Sequence, residues 1–218
     1  MVKSVYTHLG DDEMIAIIDY GAGNIQSVRK ALAHIGCDCF VTREREDILK
    51  ADGAVLPGVG SFGDTVDSLN QFGIKDTAVE YIRSGKPFLG ICLGLQLLFP
   101  KSEESPEAEG LGIFDGSITK IPGGEGLKIP HMGWNSLDIL KRGRLFKGIG
   151  GNPYVYFVHS FFLNAADKNI VAAQTKYGVT IDAAVESGNV FATQFHPEKS
   201  GDVGLKILQN FAEIVGGK

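Results

Sequence analysis

The apolar and polar positions divide the chain into two halves of different rhythm. Met14-Ile15-Ala16-Ile17-Ile18 begins as a continuous apolar run, the pattern of a strand buried on both faces. Ile25, Val28, Leu32 and Ile35 then recur at helical spacing, with Asn24 placed as an N-cap and Gly36 as the closing C′ glycine. Residues 38–41 and 54–56 read as the second and third strands, a β-α-β opening that predicts a parallel sheet. Helical stretches cover 61–83. A fourth apolar strand ends near Cys92, and 93–99 is apolar all round, which predicts a buried helix stopped by Pro100. Beyond Leu111 the strands 113–121, 136–140, 154–159 and 190–195 are separated by turns rather than helices, so the second half is expected to be partly antiparallel. Leu205, Leu208, Ala212 and Val215 give the last helix a core face. The expected fold class is therefore α/β: one domain over 14–218, with a mixed, mostly parallel central sheet flanked by helices. Residues 1–13 are polar and aperiodic and are read as an N-terminal extension, disordered or not native to the protein, so that Met14 is a candidate start.

Composition narrows the possible functions. At 218 residues the chain suits one domain with a substantial core. Its net charge of −5, without a Lys/Arg cluster, lacks the electrostatic footprint of nucleic-acid binding. The three cysteines, Cys37, Cys39 and Cys92, do not form the two-pair spacing of a zinc site. Cys37 and Cys39 are expected on one strand, and free thiols suit a reducing compartment, so a cytoplasmic protein is expected. No apolar run approaches the roughly 20 residues of a membrane helix.

Two short motifs carry candidate chemistry. In Gly90-Ile91-Cys92-Leu93-Gly94 a strand passes directly into a helix, which puts Cys92 on a sharp turn with its sulfur exposed. The glycines permit the close backbone approach of such an elbow, and the N–H groups of the following helix favour a thiolate. About a hundred residues on, strand 190–195 ends in His196-Pro197-Glu198, where Glu198 is spaced to orient the imidazole of His196. Taken singly, Cys92 also reads as a buried structural thiol and His196 as a turn residue; together they read as nucleophile, base and orienting acid.

These motifs resemble those of the class I, or triad, glutamine amidotransferases, and the resemblance runs from about Ile15 to the C-terminus. It implies a flavodoxin-like arrangement of the sheet. Ile18-Asp19-Tyr20-Gly21-Ala22-Gly23-Asn24, Leu56-Pro57-Gly58-Val59-Gly60-Ser61-Phe62, Pro130-His131-Met132-Gly133-Trp134-Asn135, Tyr156-Phe157-Val158-His159-Ser160 and His196-Pro197-Glu198-Lys199-Ser200 resemble, more narrowly, the branch serving imidazole glycerol phosphate synthases of histidine biosynthesis. The resemblance implies hydrolysis of L-glutamine by Cys92, His196 and Glu198, with an oxyanion hole of backbone N–H groups from Val59, Gly60 and Leu93. It assigns glutamine binding to Gly58, Gln96, Glu104, Ser160 and Phe161, the last two through their backbone. It implies a (β/α)8-barrel cyclase as partner in a heterodimer, receiving ammonia through a tunnel and meeting this chain at Asn24, Met132, Trp134, Asn135, Tyr156 and Lys199. The scheme involves no metal and no organic cofactor. Trp134 reads from residue type alone as a core anchor, and only the resemblance places it in a partner-facing loop. Pro100 stands where the family more often has an acidic residue, and Phe161 where many relatives have Tyr. Two rival readings are a glutaminase for a vitamin B6 or purine synthase, whose members typically carry Pro-Gly-Gly where this chain has Pro57-Gly58-Val59, and a catalytically inert regulatory subunit.

Overall fold

The computed structural model describes residues 13–21, 23–124 and 126–217, so the expected extension lies almost wholly outside the described residues. In chain order the elements are β1 (Ile15–Ile18), α1 (Ile25–His34), β2 (Cys39–Thr42), α2 (Arg45–Lys50), β3 (Gly53–Gly58), α3 (Phe62–Gln71), α4 (Ile74–Arg83), β4 (Phe88–Cys92), α5 (Leu93–Leu97), β5 (Lys101–Ser102), β6 (Gly116–Lys120), β7 (His131–Ser136), β8 (Asp138–Ile139), β9 (Tyr154–His159), β10 (Phe161–Ala165), β11 (Val171–Tyr177), β12 (Val179–Ser187), β13 (Val190–Thr193) and α6 (Gly201–Val215).

The main sheet has the order β2-β1-β3-β4-β13-β12-β10-β6-β5, with β11 beside β12 and β8 beside β11. Strands β2, β1, β3, β4 and β13 are parallel, and the sheet turns antiparallel at the β13/β12 pair. The continuous apolar runs are explained by a core on both faces. Ile15 and Ile17 pack with Val28 and Leu32 of α1 and Ile207, Leu208 and Phe211 of α6. Ile18 and Leu56 pack on the opposite face with Phe62, Val66 and Leu69 of α3 and Ile74, Ala78 and Tyr81 of α4. Each such side chain removed from water contributes about 1.5–3 kcal/mol, and the strand period of two feeds both layers.

Local departures from the expected elements have physical reasons. Gly36 does close α1, at φ +77°, but the Asn24 side chain makes no cap bond and is used elsewhere. Cys37 precedes β2, which starts at Cys39, so the two thiols do not share a strand. Gly73, at φ +66°, splits 61–83 into α3 and α4, and Ser61 caps α3 by accepting the Asp64 N–H at 3.2 Å. The short α2, with Ile48 as its one buried residue, was not expected because a single apolar anchor leaves no periodicity. Helix α5 is only five residues long, although Leu98 and Phe99 beyond it are also fully buried. The expected loop before Ser136 contains β7, which pairs with β9 in a separate two-stranded sheet, with His131 opposite His159 and Trp134 opposite Tyr156. Among the described residues no helix is long and apolar enough to cross a membrane.

Candidate active site

The parallel order β3-β4-β13 brings three strand ends to one place, because Gly58 lies opposite Cys92 and Thr193 opposite Ile91. Their continuations are Val59-Gly60, Cys92-Leu93 and Gln194-Phe195-His196. Loops at the C-terminal edge of a parallel sheet are where such folds hold ligands.

Cys92 has φ +55° and ψ −103°, and among the described residues it alone departs from negative φ without being glycine. Such a conformation costs of order 1–3 kcal/mol and persists only where its surroundings enforce it. Here the enforcement is close packing. A Cβ on Gly94 would stand 2.0 Å from the Leu56 carbonyl oxygen, and one on Gly90 would stand 2.6 Å from that of Gly94. A Cβ on Gly58 would meet Leu93 Cβ at 2.7 Å and the Tyr20 hydroxyl at 3.0 Å. The elbow is therefore pressed against β3 with no room for side chains.

The sulfur receives a donor from Gln194, whose Nε2 lies 3.7 Å from Sγ, and it sits 3.9 Å from the Val158 carbonyl. The other two thiols differ from it in setting. Burial pushes Cys37 up to about 12 and raises Cys39 as well, which leaves both as unreactive thiols.

His196 Nδ1 is 2.8 Å from Glu198 Oε1, and both side chains are 1% exposed. The same Oε1 accepts a hydrogen bond from Asn24 Nδ2 at 3.1 Å, so the residue expected to cap α1 instead steadies Glu198. The His196 main chain is held as well: its N–H donates to the Tyr156 carbonyl at 2.9 Å, and the Ser200 hydroxyl donates to its carbonyl at 2.6 Å. Burial pulls the imidazolium down, but Cys92 and Glu198 outweigh it and carry the His196 pKa up to about 10. The buried Nε2 has no hydrogen-bond partner of good geometry among the described residues.

A cavity of about 300 Å3 opens beside the sulfur, lined by Val59, Gly60, Cys92, Leu93, Gln96, Glu104, Pro130, Val158, His159, Ser160 and Phe161. It gathers every residue expected to bind substrate or stabilise an oxyanion except Gly58, which packs beneath Leu93. Glu104 is anchored by the Phe62 N–H, 2.8 Å from its Oε2. Gln96, 4% exposed, donates from Nε2 to the Phe161 carbonyl at 3.0 Å and to Gln194 Oε1 at 3.1 Å. Pro130, Val158, His159 and Gln194 were not assigned to the site from sequence. Gln194 carried a usable signal, a polar residue at the end of an apolar strand two positions before His196. His159 carried none, since its contacts come from non-local pairing.

The residues expected at a partner surface fall into two groups. Met132 and Trp134 are 62% and 55% exposed, and Trp134 meets Tyr156 edge to face, with ring centroids 6.2 Å apart. Lys199 Nζ lies 5.9 Å from the Tyr156 ring centroid. Asn24 and Asn135 instead turn to internal partners, Asn24 to Glu198 and Asn135 to the Lys176 carbonyl at 2.9 Å. Among the described residues no group of three or more His, Cys, Asp or Glu side chains is arranged to hold a metal ion.

The parallel sheet thus carries a strained cysteine elbow on one strand end and a buried His–Glu pair on the next. Residues 16–215 match the family Glutamine amidotransferase class-I, and the chain belongs to that family. Two solved structures share the fold: a glutamine amidotransferase, 19% identical with a TM-score of 0.73 over 94% of this chain and 99% of that one, and PurLQS from Thermotoga maritima, 21% identical with a TM-score of 0.73 over 93% and 98%. Among curated relatives, imidazole glycerol phosphate synthase subunit HisH of Caldanaerobacter subterraneus subsp. tengcongensis is 50% identical over 202 residues, 93% of this chain and 98% of that protein. The HisH subunit of Methanothermobacter thermautotrophicus is 49% identical over 202 residues, 93% and 99% of the two chains. Within the class-I family, the chain belongs with these HisH subunits.

Proposed function

We propose that this chain is the glutaminase subunit of an imidazole glycerol phosphate synthase, releasing ammonia from L-glutamine for a cyclase subunit in histidine biosynthesis. The observation that carries the reading is the thiol held at positive φ beside a buried His196–Glu198 pair, on a chain about half identical to HisH subunits along nearly its whole length.

In the proposed mechanism the Cys92 thiolate attacks the carboxamide carbon of glutamine, and the resulting oxyanion is met by backbone N–H groups of Val59 or Gly60 and Leu93. The C–N bond breaks as His196 gives its proton to the departing nitrogen, leaving a glutamyl thioester and ammonia. His196 then takes a proton from water, the hydroxide attacks the thioester carbon, and glutamate leaves as the thiolate reforms. Glu198, steadied by Asn24, keeps the imidazole oriented through both halves. Glu104 meets the substrate α-amino group, while Gln96 and the Ser160 and Phe161 backbone hold the α-carboxylate end. The partner is a (β/α)8-barrel cyclase that docks on the Met132 and Trp134 face, with Asn135, Tyr156 and Lys199 around it, and takes the ammonia by an enclosed path. The catalytic domain spans 14–218, preceded by an extension, and the protein works in the cytoplasm.

The test is glutamate release by the chain alone, then with the cyclase, then with the cyclase and its ribulotide ligand. Strong stimulation at the last step is the expected result. Confirmed binding with no stimulation would overturn the assignment of partner.

A further inference from the structure

The functional reading leaves two buried histidines without a task. His131 and His159, 3% and 6% exposed, face one another across β7 and β9, with Nδ1 of His131 3.0 Å from Nε2 of His159. His159 Nδ1 lies 2.9 Å from the Phe161 carbonyl oxygen. At the other end His131 Nε2 is 3.3 Å from Asn135 Nδ2. His131 is clamped between the rings of Tyr177 and Phe157, with centroids 3.9 and 4.6 Å away.

The protons in this row are determined by its ends. A carbonyl oxygen only accepts, so His159 Nδ1 carries a hydrogen. Asn135 donates from Nδ2 to the Lys176 carbonyl, and its Oδ1 accepts the Ser136 N–H at 2.8 Å, which orients the amide and leaves its second hydrogen for His131 Nε2. His131 Nε2 is therefore bare, and with the ring neutral its hydrogen is on Nδ1, pointing at the bare Nε2 of His159. Three gaps are filled by three hydrogens, all directed from Asn135 toward Phe161. Burial supports two neutral rings, drawing His159 down to about 3 and His131 to about 4. The Nδ1–H form, less favoured for a free imidazole in water, is imposed twice by the surroundings.

The row ends at a carbonyl of the site itself. The Phe161 oxygen accepts from His159 and also from Gln96 Nε2, and Gln96 continues to Gln194 and so to the Cys92 sulfur. Both lone pairs of that oxygen are used, which leaves the adjoining Ser160–Phe161 peptide little freedom. We propose that His159, held as its Nδ1–H tautomer by His131 and Asn135, is a positioning residue that fixes the Phe161 backbone at the wall of the glutamine pocket, so that strand β7 sets the geometry of that wall. This rests on the glutaminase reading for its substrate, but the tautomers do not.

The experiment therefore has two arms. Long-range proton–nitrogen NMR of the unaltered chain reads both imidazoles directly, and the expected result is Nδ1–H for each; an Nε2–H form at either ring overturns the proposal whatever the enzyme does. In the complex with the cyclase, His159→Ala removes the donor to Phe161 and is expected to raise the KM for glutamine about tenfold while changing kcat less than about threefold, the effect of one lost hydrogen bond in ground-state positioning. His159→Asn places an amide N–H near the Nδ1 position and is expected to recover most of that loss. Equal defects in the two variants, or an unchanged KM in His159→Ala, would overturn the positioning role. A wild-type complex that hydrolyses no glutamine would instead overturn the functional reading, and the tautomers would still decide the direction of the hydrogen-bond row.

Discussion

At the candidate site a single proton is held on His196 by its neighbours Cys92 and Glu198. His196 holds its proton up to about pH 10 in the folded chain, against 6.5 for a free imidazole. Below about pH 6.5 the folded and unfolded states both bind this proton and the full stabilisation is present. As pH rises toward 10 the unfolded chain has released the proton while the folded chain retains it, and the contribution declines until it is lost above that value. Replacing Glu198 by Gln removes one of the two groups opposing burial, so the folded pKa falls and the alkaline decline begins from a smaller contribution. The expected outcome for Glu198→Gln is a shallower loss of urea stability between pH 7 and 10, together with glutaminase activity reduced about 10²- to 10⁴-fold by the disturbed acid–base group. A steeper alkaline loss than wild type would show that Glu198 does not hold the proton. The cysteine elbow and the His196–Glu198 pair were each legible in sequence because each is local: a turn within five residues and a His-Pro-Glu with a fixed offset. His131 and His159 were not, because each finds its partner 28 residues away along the chain, and Gln194 offered only its polarity at a strand end, its contact with Cys92 spanning 102 residues.

At the scale of elements, the Cys92 turn depends on how closely β4 and α5 approach β3. Gly94 tests this contact, since its added Cβ would meet the Leu56 backbone oxygen at 2.0 Å and a strand in the middle of the sheet has nowhere to move. Gly94→Ala is expected to destabilise the fold by about 3 kcal/mol, the upper end of the usual overpacking cost, as measured by urea unfolding. Gly60→Ala is the comparison: nothing lies within 4 Å of its Cβ and the strain comes only from φ +109°, so its cost is expected nearer 1 kcal/mol. Equal losses would mean that backbone conformation rather than packing maintains the elbow. Elements buried on both faces, such as β1, β3 and β4, could be read from sequence because every residue in them is apolar or small. Strand β7 could not, because Met132 and Trp134 point outward, Gly133 interrupts the alternation, and its pairing with β9 exists only in three dimensions.

At the scale of the whole molecule, the small β7/β9 sheet connects the candidate site to the outer surface. Tyr156 and Val158 lie on the same side of β9; the first packs against exposed Trp134 and the second lines the cavity beside Cys92. Under the proposed docking on Met132 and Trp134, a partner would meet the strand pair whose Val158, opposite Met132, lines the cavity. Trp134 is also the sole tryptophan of the chain, so its fluorescence reports on this face alone. Being 55% exposed, with its ring edge-on to Tyr156, it contributes little to the core. Addition of the cyclase is expected to shift its emission to the blue and to saturate at one equivalent. Trp134→Ala is expected to weaken the complex by about 2 kcal/mol or more, the behaviour of a central interface anchor, and to leave the thermal midpoint of the isolated chain nearly unchanged. An unshifted emission in a complex confirmed by sedimentation would move the docking face elsewhere. A lowered midpoint in the variant would instead make Trp134 a structural residue of the β7/β9 sheet.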